Sequence, residues 1–181
     1  MKFVRSLAVF SLLSVAASAT VIPRLSFEDV VSQSERIIYG KVARQWCTWG
    51  PEHRIIWTRT EIQVDGVLKG APSGTVTVSE PGGELDGVEM AVAGAVPFVP
   101  GERVTLFLKS VATGDLRTVG WTQGKFTTDA AGHVLPEASG GPSIVPLGRS
   151  SGTDIRSLRG ITANDLHSRV RSLVTAKGPV R

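Results

Sequence analysis

Between positions 46 and 53 the chain reads Trp46-Cys47-Thr48-Trp49-Gly50-Pro51-Glu52-His53, which gathers two of its four tryptophans, its single cysteine and one of its three histidines. Two kinds of chemistry follow. A thiol becomes a nucleophile when a neighbouring base favours its thiolate and a third group orients that base, so Cys47, His53 and Glu52 have the composition of a hydrolytic site. A tryptophan-rich loop folded over a barrel mouth with a half-buried thiol needs no such contact, and buried cysteines are inert. An odd cysteine in an exported chain can also pair between molecules. Just downstream, Trp57 and Arg59 share one face of a strand, and Trp121 can join them; aromatic rings for stacking and cations for charge make a platform for a glycan or a peptide. Trp46, Trp49, His53, Trp57 and Arg59 are therefore the candidate ligand-binding residues.

A second nucleophile is offered by Ser139-Gly140-Gly141-Pro142-Ser143-Ile144-Val145. It resembles the nucleophile loop of trypsin-like serine proteases, in which backbone N–H groups beside the serine hold the oxyanion. The resemblance implies Ser139 with His53 and Asp65 or Asp86. Glu137-Ala138 stands where those proteases have Gly-Asp, no Ala-Ala-His surrounds His53, and a two-barrel protease needs more strands than this chain supplies. A Gly-Gly-Pro turn accounts for the same residues. Gly148-Arg149-Ser150-Ser151-Gly152 matches the Gly-x-Ser-x-Gly elbow in letters alone, since Pro146 occupies the place of the strand that motif requires. His53, His133 and His167 have no metal-ligand spacing, and no glycine-rich phosphate loop occurs, so no metal and no cofactor is expected.

These residues must be positioned by a mainly β domain closed at each end by a helix. Ser26 with Asp29 three residues on is a capping box, Leu25 and Val30 form a hydrophobic staple, and a short helix is expected from Phe27 to Ser34. Thr162 with Asp165 repeats the box and Ile161 with Leu166 the staple. Leu166, Val170, Leu173 and Val174 then form an apolar helical stripe before Gly178-Pro179. His167, Arg169, Arg171 and Lys177 fall on its other face and are expected in solvent. Between the helices the period is two. Ile37 to Val42 is β-prone; Ile56, Thr58, Thr60, Ile62 and Val64 point one way and Trp57, Arg59, Glu61, Gln63 and Asp65 the other. Thr75 to Ser79, Val88 to Val92, Val104 to Leu108, Leu116 to Trp121 and Lys125 to Thr128 supply further strands, punctuated by Gly70-Ala71-Pro72-Ser73-Gly74 and Pro81-Gly82-Gly83. Five or six short strands with many glycines predict a small OB-like barrel with two peripheral helices; a β-sandwich is the alternative.

Composition sets the surroundings. With 181 residues, 41% hydrophobic and 20% charged, the chain fits one modest domain. Met1-Lys2-Phe3-Val4-Arg5, an apolar stretch from Ser6 to Ala16 and Ala17-Ser18-Ala19 have the form of a signal peptide over residues 1–19, with a mature start at Thr20. That apolar stretch is short for a span, which needs about 20 residues, and no later segment stops transfer. A secreted or periplasmic protein with no integral membrane segment after cleavage is expected. Without Lys2 and Arg5, 18 basic residues face 16 acidic ones. The 149–181 segment, a basic linker and helix, holds seven of those cations against Asp154 and Asp165; residues 20–148 form the barrel domain. So small a net charge on an exported chain argues against nucleic acid as partner.

The succession Ser26-Phe27-Glu28-Asp29, Ile38-Tyr39-Gly40-Lys41-Val42, Val64-Asp65-Gly66-Val67-Leu68-Lys69-Gly70, Pro81-Gly82-Gly83, Pro100-Gly101-Glu102-Arg103, Leu106-Phe107-Leu108 and Gly124-Lys125-Phe126 resembles a group of uncharacterised bacterial secreted proteins. The likeness covers about residues 25 to 128, and its motifs are turn and strand residues. It implies export and a small OB-like β-barrel domain, with no established activity and hence no catalytic residues to carry over. Eukaryotic metalloproteinase inhibitors have a similar barrel, but their inhibition depends on an N-terminal cysteine, and Thr20 stands at the expected mature start here.

Three functions are consistent with these residues. The first is an exported, non-enzymatic module binding an extracytoplasmic protein, peptide or glycan through Trp46, Trp49, His53, Trp57 and Arg59. The second is a small hydrolase using Ser139 or Cys47 with His53. The third is a structural envelope component docked by its basic final helix.

Overall fold

The computed structural model describes residues 22–137, 144–145 and 152–176. The signal-peptide reading, Ser139 and Lys177 lie outside these residues. The elements run β1 (Ile22–Pro23), α1 (Phe27–Gln33), β2 (Arg36–Trp49), β3 (Ile56–Lys69), β4 (Thr75–Pro81), β5 (Gly83–Leu85), β6 (Val88–Met90), β7 (Arg103–Ser110), β8 (Leu116–Thr118), β9 (Lys125–Thr128), β10 (Val134–Pro136), β11 (Ile144–Val145) and α2 (Ala163–Ala176).

α1 begins at the capping box its sequence carries, while at α2 only the Thr162 half of the box forms. The Asp29 N–H donates to Ser26 Oγ at 3.1 Å while the Ser26 N–H donates to Asp29 Oδ2 at 3.2 Å. At α2 the Asp165 N–H donates to Thr162 Oγ1 at 3.1 Å, and that hydroxyl donates to Asp165 Oδ2 at 2.8 Å. These bonds satisfy amides that a helix start leaves without intrahelical partners.

The main sheet has the order β10-β9-β7-β2-β3-β4-β8, and β8 also pairs with β7. That second pairing closes β7-β2-β3-β4-β8 into a five-strand ring. Its pairs are antiparallel except β4 with β8, which meet in parallel at Val78↔Leu116. A five-stranded Greek-key ring closed by so short a contact is the partly open barrel expected of an OB-like fold. Lys125 Nζ donates to the Pro97 carbonyl and the Glu80 carboxyl is bonded by the Val96 backbone, so the Val96–Phe98 segment bridges β9 and β4 beside that closure.

Alternation along β7 builds two cores. Val104, Leu106 and Leu108 point into the ring and join Ile38, Val42, Ile62, Val76, Val78, Val96 and Phe98. Phe107 points outward, where α1 and α2 cover it with Phe27, Val30, Val31, Leu166 and Val170, together with Phe126 from β9. A strand buried on both faces reads as a nearly continuous apolar run, and Val104-Thr105-Leu106-Phe107-Leu108 is one broken only by Thr105, whose hydroxyl meets His167.

Two glycines are dictated by close approach. A Cβ on Gly124 would lie 2.4 Å from the Val119 carbonyl oxygen and 3.0 Å from that of Phe107, both backbone atoms that cannot step aside. Gly66 pairs across strands with Tyr39, and a Cβ there would sit 2.3 Å from the tyrosine ring. The ring covers the glycine it faces, a known device for stabilising a strand at such a position.

α2 differs from the sequence expectation at one residue. Arg169 and Arg171 are exposed as expected, but His167 is only 7% exposed. Its ring stacks on Tyr39 with centroids 4.3 Å apart, and Nε2 lies 3.0 Å from Thr105 Oγ1. The apolar stripe of α2 is wide enough to carry position 167 onto the barrel, where Tyr39 and Thr105 wait on the outer face of β2 and β7. Burial, with Arg171 close by, holds the imidazole below its ordinary value near 6.5. The folded state therefore binds a proton at His167 less readily than the unfolded chain does. Stability from this residue is fully present above about pH 6.5 and is lost as pH falls through that value. Urea unfolding of wild type and His167→Gln at pH 7.5 and pH 5.0 checks this: the wild type should lose the more stability on acidification. Equal losses would contradict the assignment.

Candidate functional site

β2 and β3 form a long hairpin whose outer half rises beyond β7, because β7 pairs only with Arg36 to Lys41. Residues paired across an antiparallel ladder share a face. Trp46 is opposite Arg59 and Thr48 opposite Trp57; on the other edge of β3, Arg59 meets Ser79 and Trp57 meets Pro81. Trp46, Arg59 and Trp57 thus lie on one continuous outer face. From beyond β4, β8 adds Arg117, and the turn at Trp121–Gly124 adds Trp121. The Arg117 guanidinium stands 4.6 Å from the centroid of Trp57 and 5.8 Å from that of Trp121. At the opposite end Arg44 stands 4.9 Å over Trp46 and pairs with Glu61 at 3.0 Å. Aromatic and cationic groups so placed attract each other through the ring quadrupole. Trp46 is 37% exposed, among the most exposed large apolar side chains described.

Arg59 is fixed. It donates to Asp115 and Ser79 through Nη1, and to Thr48 Oγ1 through Nε at 3.4 Å. Burial alone would raise the Asp115 pKa, but hydrogen bonds from Arg59, Thr113 and Ser79 together with the Arg59 charge hold the carboxyl below its ordinary value. This half-buried pair ties β3 and β4 to the loop before β8.

The sequence placed residues 46–49 in a loop, whereas they are strand. β2 continues through Trp49 because Trp46, Cys47, Thr48 and Trp49 each find a partner on β3, and the connection is only Gly50 to Ile55. The alternation of that strand separates the candidate residues. Trp49 points away from Trp46; its Nε1 donates to Asp86 Oδ2 at 2.8 Å and its ring lies 5.4 Å from that of His53 at the hairpin tip. The structure therefore unites Trp46, Trp57 and Arg59, and sets Trp49 and His53 apart on the other side.

Cys47 lies on the Trp49 side, with its Sγ 3.6 Å from Thr58 Oγ1, and the Thr58 hydroxyl donates to the Gly82 carbonyl at 2.7 Å. Among the described residues no hydrogen bond joins Cys47 to His53, and His53 pairs with no carboxylate there. No group of three His, Cys, Asp or Glu side chains among those residues is arranged to hold a metal ion, and no described helix is long and apolar enough to cross a membrane.

Arg117 was not legible as a site residue. It is far from Trp57 in the chain, and they meet only because β8 returns in parallel beside β4, a pairing without a local sequence signature. Compared with models of known protein families, with curated proteins and with solved structures, the chain matches none.

Proposed function

We propose that this protein is an exported binding module that engages a peptide, glycan or envelope protein through the outer face of β2, β3, β4 and β8. The observation that supports it is the row of Trp46 and Trp57 with Arg44, Arg59 and Arg117 on one sheet surface, extended by Trp121 from the adjoining turn. Stacking platforms of this kind take sugars and extended chains, and their strength comes from the rings. Export rests on the signal-like residues 1–19. The apolar side of α2 is engaged with α1 and the barrel, which leaves its arginines outward and the aromatic face as the better docking surface.

The test is binding of the purified protein to peptide and glycan arrays, repeated with Trp46→Ala and Trp57→Ala. Ligands of the wild type should bind each variant at least about tenfold more weakly, the loss of one stacked ring. Unchanged binding in both variants would move the function away from this face.

A further inference from the structure

Arg117 also faces an open pocket of about 360 Å³ lined from β1, the end of α1, β4, β7, β8 and the turn of Trp121. This volume lies within the range of small-ligand pockets, about 300–1,000 Å³. Ile22, Leu25, Val111 and Trp121 give it apolar walls, and Lys109 and Arg117 are its cations. Neither cation makes an ion pair among the described residues. The Arg117 guanidinium is held by Trp57 and Trp121, yet its one hydrogen bond there runs from Nε to the Ser79 carbonyl at 3.4 Å. Its two terminal nitrogens, the fork that matches a carboxylate, have no protein acceptor among those residues. Arg59 nearby shows the contrast, with Asp115 occupying its Nη1. Glu80 also lines the cavity, but its Oε1 accepts from the Thr118 N–H and hydroxyl at 3.2 and 2.8 Å. Burial pushes that carboxyl upward, against the Thr118 bonds and the Arg117 charge, which lessens its claim on Arg117.

We propose that this cavity takes a carboxylate carried on an apolar stem. The carboxylate sits on Arg117 with Lys109 beside it, and the stem packs among Ile22, Leu25, Val111 and Trp121. The assignment deepens the binding-module reading and rests on it, since Arg117 belongs to both the face and the cavity. The carboxylate can be the C-terminus of a peptide or that of a free short-chain acid.

Titration of the protein with N-acetyl-leucine, N-acetyl-leucinamide and hexanoate, followed by isothermal calorimetry and tryptophan emission, tests it. At least one acid should bind, with the amide at least about tenfold weaker, because a charge-assisted bond is lost. N-acetyl-leucine without hexanoate identifies a peptide end, hexanoate without N-acetyl-leucine a free acid, and both together the carboxylate class. Arg117→Gln should weaken acid binding by a similar factor. Lys109→Gln, at an exposed position, should weaken it a few-fold without disturbing the Trp57 and Trp121 rings. An amide that binds as tightly as its acid, no acid binding, or acid binding unchanged in both variants would overturn the proposal. Failure of the broader reading appears elsewhere, as array binding indifferent to Trp46→Ala, so the two are separately decided.

Discussion

Lys125→Ala is expected to lower the unfolding free energy by about 3–5 kcal/mol, the range for stripping one partner from a buried ion pair. Lys125 is 1% exposed, near the junction of β9 with the Val96–Phe98 segment. Its ammonium pairs with Glu102 at 2.8 Å and Glu137 at 3.5 Å, donates to the Pro97 carbonyl, and stands 4.8 Å over the Phe98 ring. One cation therefore ties β9, the approach to β7, the end of β10 and the bridging segment together beside the barrel closure. Removing it leaves two carboxylates facing each other and a carbonyl without its donor, in space too enclosed for full hydration. Equilibrium urea unfolding checks the size of the loss. Glu102→Gln added to Lys125→Ala should cost less than the two separate losses combined, since the repulsion left by the first change is relieved by the second. A Lys125→Ala variant within about 1 kcal/mol of wild type would show that water enters and replaces the ammonium.

Much of the fold was open to reading because it is locally encoded. Ser26 with Asp29 and Thr162 with Asp165 announce both helix starts, and the alternation from Ile56 to Val64 gives β3 its inner and outer faces without knowledge of its neighbours. What escaped was set by partners distant in the chain. β2 runs to Trp49 because β3 lies beside it, not because Thr48-Trp49-Gly50-Pro51 favours a strand. Asp86-Gly87 was a signal within reach. Both residues have positive φ, as the tight turn joining β5 to β6 requires, and Asp86 then anchors Trp49 on the side away from Trp46. His167 was misplaced because an apolar stripe read from leucines and valines says nothing about a polar ring that finds Tyr39 and Thr105.

The same distinction explains the site. Trp57 and Arg59 share a face by period alone, so their pairing was legible; Trp46 joins them through ladder register, which is not. Arg117 and Trp121 arrive from a strand and turn whose place depends on ring closure at Val78↔Leu116. The glycines of the resemblance motifs belong to this tertiary layer as well. Gly66 is dictated by a tyrosine ring from the neighbouring strand and Gly124 by the backbone carbonyls of Val119 and Phe107.

Phe107→Ala should cost about 3–5 kcal/mol, the usual range for emptying a buried phenylalanine site. Phe107 has no solvent exposure, and its ring meets Phe27 edge-on at 5.9 Å and Phe126 at 5.5 Å. Phe27 and Phe126 meet in turn at 6.4 Å, so the three rings form a closed cluster between α1 and the outer face of β7 and β9. Such contacts add to area burial about 0.5–1.5 kcal/mol per pair. The cluster sits on the side of β7 opposite Leu106, so the two residues separate the two cores. Leu106→Ala empties the ring interior, where β2, β3, β4, β7 and β8 all contribute to its closure, and should collapse the whole transition. Phe107→Ala instead loosens the layer that α1 and α2 place over the barrel. Amide hydrogen exchange should then show faster opening of Val30, Val31, Leu166 and Val170 than of Ile62 and Val78, even after allowing for the lower global stability. Uniform acceleration across both sets would mean that the helices and the barrel unfold as one unit, and that the helical layer is as much a condition of the aromatic face as the strands that carry it.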